Sequence, residues 1–139
     1  MKKKNGLRTR KPRKPTRAGM IKRLDKVFSL VIRKRDGVCQ WCDGNGKLDT
    51  SHCKDRRYYG TRWDMVNAIA LCPNCHRFSP MSWHNDPEAA WEWFRKKFPA
   101  RAEYLSTLTR EGKLLRKWTI EEMLDHENFL GTKLSEIDS

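Results

Sequence analysis

Four of the five cysteines fall in two Cys-x-x-Cys pairs, Cys39/Cys42 and Cys72/Cys75, and Cys53 stands apart from them. Two thiolates three residues apart on a tight turn can face one tetrahedral ion, whereas a disulfide framework belongs to secreted chains with an even cysteine count. The spacing therefore predicts a structural zinc site on Cys39, Cys42, Cys72 and Cys75, closed to substrate because sulfur fills all four positions, in a reducing compartment. Three further residues surround the pairs: His52, Asn67 and His76, the last directly after Cys75. A phosphodiester is hydrolysed when water is deprotonated beside phosphorus while a cation neutralises charge on the phosphate and the departing oxygen, so one histidine and one metal can suffice. Taken singly, each of the three has a duller role: His52 as a satisfied buried histidine, His76 as a fourth zinc ligand, Asn67 as a turn cap. Cys53 is expected to be a small buried apolar residue.

The string Asn67-Ala68-Ile69-Ala70-Leu71-Cys72-Pro73-Asn74-Cys75-His76, preceded by His52 and by the approach Arg35-Asp36-Gly37-Val38-Cys39, resembles the HNH endonucleases of the ββα-metal type that carry a four-cysteine zinc staple. The resemblance covers residues 33 to 77, roughly a third of the chain. It implies an α+β fold: a small, zinc-stapled, treble-clef-like ββα-metal core with an N-terminal helix and C-terminal helices. It also implies His52 as general base at a strand end, and His76 as ligand of a catalytic Mg2+ or Mn2+ on a short helix starting near Pro73. Asn67 would either brace the loop that orients His52 or join the metal shell. Many of these enzymes place Asp or His directly before the first histidine as a ligand, whereas here Ser51 stands there, with Asp49 two residues further back. A serine hydroxyl is a poor Mg2+ ligand beside a carboxylate. Asp49, Asp64 or a water-mediated contact then completes the shell, or metal binding is weak, or the catalytic apparatus has decayed. Phage DNA-recombination nucleases of the Rap (NinG) type are similar in having a small residue before this histidine and an arginine-rich loop after it. Here that loop holds Lys54, Arg56, Arg57 and Arg62, although those proteins often end the motif in Asn where this chain has His76.

Charge points to the same kind of partner. Thirty Lys and Arg against seventeen Asp and Glu leave a net charge of +13 over 139 residues, and the mean hydropathy is -0.88. A polyanion partner follows, with DNA contacted through Lys54, Arg56, Arg57 and Arg62, whose guanidinium groups could clamp phosphates on either side of the scissile bond. No run of eighteen apolar residues exists, so no membrane span is expected, and the basic N-terminus lacks the apolar stretch of a secretory signal. The expected location is the cytoplasm of a bacterial or phage-infected cell. No base-reading module is recognisable, which favours nonspecific or structure-directed recognition of branched or recombination DNA. A branched substrate would call for a homodimer with two active sites, though no residue pattern marks a dimer surface.

These residues need elements to hold them. The first seventeen residues contain nine Lys or Arg, no acid and two prolines, and are expected to form a disordered basic arm over 1–17. A nuclease domain with leading and following helices is expected over 18–112, and an acidic helical segment over 113–139. Met20, Leu24, Val27, Phe28, Val31 and Ile32 recur at helical spacing, with Gly37 as a stop. A small hairpin with a long inserted loop is predicted between Val38 and Leu71. Further on, Asp86 as N-cap with Pro87 opens a helix, a second carries Tyr104, Leu105 and Leu108, and Thr119 with Glu122 forms a capping box for a third. Trp91, Phe94 and Phe98 are assigned to packing, Trp83 and Trp93 are left open, His84 is set aside because Pro80 breaks helical register after His76, and His126 is expected on a helix surface. The chain thus reads as a metal-dependent HNH endonuclease hydrolysing DNA, a hydrolase; the alternative is a non-catalytic zinc-containing module that binds nucleic acid without cutting it.

Overall fold

The computed structural model describes residues 14–138. The expected basic arm falls mostly on residues 1–13, outside the described residues. Arg17, assigned to that arm from the sequence, is instead the first residue of helix α1 (Arg17–Asp36), and its guanidinium donates to the Trp118 carbonyl at 2.7 Å. Thr16 is the reason the helix starts there: its hydroxyl accepts the free N–H of Gly19 at 3.0 Å. Gly37 stops it at φ 73°, sending its N–H back to the Arg33 carbonyl. Met20, Leu24, Phe28, Val31 and Ile32 form the buried stripe.

Strands β1 (Asp49–His52) and β2 (Ala68–Leu71) pair antiparallel, with His52 opposite Ala68 and Asp49 opposite Leu71. The residues between them make the predicted insertion, which closes through a short 3-10 turn (Met65–Asn67) before β2. One wide helical turn (Asn74–Phe78) follows β2, and then come α2 (Pro87–Lys97), α3 (Pro99–Arg110) and α4 (Ile120–Asp138). The caps of α2 and α4 are those expected: Asp86 accepts from Ala89 N–H, and Thr119 and Glu122 exchange hydrogen bonds at 3.0 and 2.8 Å. The fold is α+β. Among the described residues no helix is long and apolar enough to cross a membrane.

All four residues of β2 are buried, and their alternation serves two cores. Ala68 faces the cluster that α1 and α4 build with Trp63, Trp118, Met123 and Leu130, while Ile69 and Leu71 face Phe94, Leu105 and Trp83 beneath α2 and α3. Arg35 and Asp36 bind this strand to α1. Arg35 donates to the carbonyls of Met65 and Ala68 at 2.7 and 2.8 Å, and the Asp36 carboxylate accepts the Ala70 N–H at 2.8 Å. His126 is not a plain surface residue: its Nε2 bonds the Trp63 carbonyl at 2.9 Å and its ring packs on Trp118.

The insertion is closed from outside by residues 113–118. The Gly60 N–H donates to the Leu114 carbonyl at 2.9 Å, and a Cβ built at Gly60 would stand 1.9 Å from the Lys113 carbonyl oxygen. Backbone cannot yield as a flexible side chain would. Gly60→Ala is therefore expected to cost about 2 kcal/mol, a drop in Tm of about 8 °C, measurable by calorimetry. An unchanged Tm would show that the close approach is relaxed in solution.

Candidate functional site

The sulfur atoms of Cys39, Cys42, Cys72 and Cys75 all lie within 4.8 Å of one another. Cys42 and Cys72 Sγ are 3.8 Å apart, far beyond a disulfide bond and equal to the separation of about 3.8 Å between two sulfurs on one tetrahedral zinc. The local backbone explains the convergence. In each pair the N–H of the second cysteine points at the sulfur of the first, at 3.5 Å for both Cys42→Cys39 and Cys75→Cys72, and Asp43 takes a positive φ of 64° to close the first turn. Burial raises the Cys39 thiol pKa, but backbone N–H groups of this turn and of Cys72 outweigh it and bring it to about 7. Burial and crowding by the other sulfurs push Cys75 up instead. Four thiols competing for protons at one point is the condition that a shared cation relieves, so the donor set fits zinc. His76 is outside this group, and among the described residues no second group of three or more such ligands closes as tightly.

A cleft of about 1090 Å³ opens beside the thiolates, lined by α1, β1, the 73–84 segment and Trp91, and both His52 and His76 reach it. His52 closes β1. Its ring rests on Phe28, and its Nε2 meets the Arg62 carbonyl at 3.0 Å. A carbonyl only accepts, so Nε2 carries the proton and Nδ1 holds the lone pair. Burial, with Arg56 nearby, holds the His52 pKa down to about 4 despite that carbonyl, so the ring is neutral at pH 7.

Asn67 is wholly buried and spends its amide on the insertion. Its Oδ1 accepts from Lys54 N–H at 2.7 Å and its Nδ2 donates to the Lys54 and Thr61 carbonyls at 2.9 and 3.1 Å. The whole side-chain amide is thus engaged with backbone groups of the insertion. Asp64 is turned away, capping Val66 and accepting the Tyr104 hydroxyl at 2.6 Å, and Ser51 is buried. Three carboxylates line the cleft, Asp25, Asp49 and Asp55, and Asp49 is the one bonded to His76. Its Oδ2 accepts from His76 Nδ1 at 3.1 Å, which leaves His76 Nε2 as the open nitrogen. Burial lowers the His76 pKa against the pull of Asp49.

His84, set aside on sequence grounds, corrects that reading. The turn at 79–83 brings the chain back alongside this segment, with Trp83 N–H to the Cys75 carbonyl and His84 N–H to the His76 carbonyl at 3.0 and 3.1 Å. His84 Nε2 then lies 3.2 Å from His76 Nε2. Two nitrogens on one divalent ion at about 2.1 Å stand about 3.0 to 3.4 Å apart, so the pair fits a cation held by both, with Asp49 fixing the first imidazole.

The expected phosphate-binding loop is redistributed. Arg62 is not free for phosphate: it forks onto Asp25 of α1 at 3.0 and 2.7 Å, beside Trp63 Nε1 on the same carboxylate at 2.8 Å. Lys54 lies over Trp91, and Arg57 is exposed beside Asp55. Arg56 alone of the four lines the cleft, where Arg33, Lys47 and Arg77 join it. Lys47 and Arg77 flank β1 and His76 in sequence, a proximity that could have marked them. Burial pushes the Cys53 thiol up, consistent with an inert core residue. Trp83 is buried against Phe94, and Trp93 stacks on Trp41.

Compared with protein-family models, with curated proteins and with solved structures, the chain matches none.

Two measurements check this site. Cys39→Ser is expected to lose bound zinc, measured as metal per chain, together with the cooperative unfolding transition; a stable zinc-free variant contradicts the structural role. The unfolded His52 pKa is near 6.5 and the folded value about 4, so the unfolded chain binds more protons between these values. Stability from this burial is complete above pH 6.5 and fades as pH falls through 4. Between pH 7 and 4 the native protein should lose roughly 3 kcal/mol more than His52→Gln in denaturant titrations, and equal losses would show that His52 is solvated.

Proposed function

We propose that this chain is a metal-dependent endonuclease of the HNH type that hydrolyses DNA phosphodiester bonds in the cleft. The observation that carries this reading is the pairing, in one cleft, of a neutral imidazole whose lone pair is on Nδ1 with two imidazole nitrogens 3.2 Å apart and a carboxylate behind them. His52 is the general base. It takes a proton from water through Nδ1 as the water oxygen bonds to phosphorus and the bond to the 3′ oxygen breaks. The Arg62 carbonyl stabilises the resulting imidazolium, and Asn67 holds the insertion that carries that carbonyl.

His76 and His84 hold the divalent ion, and Asp49 sets the tautomer of His76. The chemistry the ion supplies when bound is neutralisation of charge on the phosphate and the leaving oxygen. Imidazole donors favour Mn2+ or a later transition ion over Mg2+. Arg33, Lys47, Arg56 and Arg77 hold the DNA backbone on the cleft rim.

A second reading rests on the same atoms. The Asp49–His76–His84 chain also closes as a hydrogen-bonded brace with one proton between the rings, in which case the protein is a zinc-containing module that binds DNA without cutting it. Supercoiled and branched DNA incubated with the protein, with and without added Mg2+ or Mn2+, separates the two. The nuclease reading expects metal-dependent nicking that falls at least about 100-fold in His52→Ala while DNA binding holds, and a raised metal requirement in His84→Ala. Full activity in His52→Ala removes that residue from the base role, and no nick with any ion leaves the binding module.

A further inference from the structure

Phe78 ends the helical turn that carries His76, two residues on, and it lines the same cleft. Its side chain is 72% exposed, belongs to neither core cluster, and has no aromatic partner among the described residues. A single exposed apolar residue means little by itself. What distinguishes this one is the rigidity beneath it. The Ser79 N–H returns to the Asn74 carbonyl at 2.8 Å, Asn85 Nδ2 donates to the carbonyls of Arg77 and Ser79 at 2.9 and 3.0 Å, and Ser82 N–H donates to the Ser79 carbonyl at 2.9 Å. The phenyl ring is thus held out on a braced turn, flanked by Arg77 and facing a cleft whose rim also carries Arg33, Lys47 and Arg56.

We infer that Phe78 is a stacking platform for an unpaired base of the DNA bound in this cleft, so that the site prefers single-stranded or branched DNA to intact duplex. The inference rests on the reading of the cleft as a DNA site. Two residues of backbone span at most about 7 Å, so a phosphate near His76 places its neighbouring base within reach of the ring. In intact duplex each base is covered on both faces, and the phenyl gains nothing. At a flap, gap or junction a base has a free face, and stacking on an aromatic ring adds affinity whatever the base. The cations supply the contact with the backbone of paired and unpaired strands alike, while Phe78 adds a contact that only an unpaired base can make.

The test uses the full chain without added divalent ion, with oligonucleotides carrying 2-aminopurine in a single strand, at the branch of a splayed fork, or inside a duplex. The native protein is expected to quench 2-aminopurine in the strand and the fork and to bind both more tightly than the duplex. Phe78→Ala should weaken strand and fork binding by about five-fold or more, change duplex binding less than two-fold and leave Tm unchanged, and Phe78→Trp should restore the preference. Equal affinity of the native protein for all three, or an Ala variant that loses affinity equally for all or for none, overturns the inference. Cleavage is scored separately. Stacking without any nick retains the inference and removes the nuclease reading, whereas nicking with no effect of Phe78→Ala on substrate preference does the reverse.

Discussion

Two turns thirty residues apart in sequence meet at four sulfur atoms, and the rest of the molecule is arranged around that meeting. The first turn hangs from the end of α1, where Gly37 stops the helix and Arg35 and Asp36 bind β2; the second grows directly out of β2 at Cys72. Strand, helix end and both turns therefore form one circuit, which a single ion held by the four thiolates would close. The apolar clusters on either side of β2 are small, so an ion-binding free energy of about 10–16 kcal/mol is large beside what such a core supplies. His76 takes its place from the same circuit, because it follows Cys75 without an intervening residue.

Charge is sorted across α1. The acidic α4 lies along one side of that helix, and Glu127 and Asp138 pair with Arg23 and Lys34. Asp25 is spent on Arg62 and Trp63, with Arg56 3.8 Å from the same carboxylate, on the side toward the insertion. Arg33 is left on the cleft wall with Lys47, Arg56 and Arg77. Pairs as exposed as those between α1 and α4 add little to stability, but they cancel charge away from the cleft, whose lining sets Arg33, Lys47, Arg56 and Arg77 against Asp25, Asp49 and Asp55.

Much of the architecture was readable from the chain because it is written in short-range chemistry. Thr16 aside, the helix ends were marked by Gly37, Asp86 with Pro87, and Thr119 with Glu122, each of which acts on backbone groups within one turn. The cysteine pairs were readable for the same reason. His84 was not, because it returns to His76 through a turn that no helical or strand period describes. Nor was the inward turn of Arg62, whose partner Asp25 lies 37 residues away on another element, so that a charge in a basic loop looked solvent-facing. Asn67 fell between these cases: its possible roles were visible, and only the fold of the insertion shows which backbone groups its amide bonds.

Trp41 lies inside the first cysteine pair, and its indole stacks face to face on Trp93 of α2, with ring centres 4.5 Å apart and planes 7° from parallel. Two chromophores so close and so nearly parallel couple their electronic transitions, and the coupling depends steeply on their mutual orientation. One indole is fixed to the knuckle and the other to the helix that borders the cleft. The protein thereby carries an internal optical gauge, in its near-ultraviolet circular dichroism, of whether the knuckle and that helix remain in register.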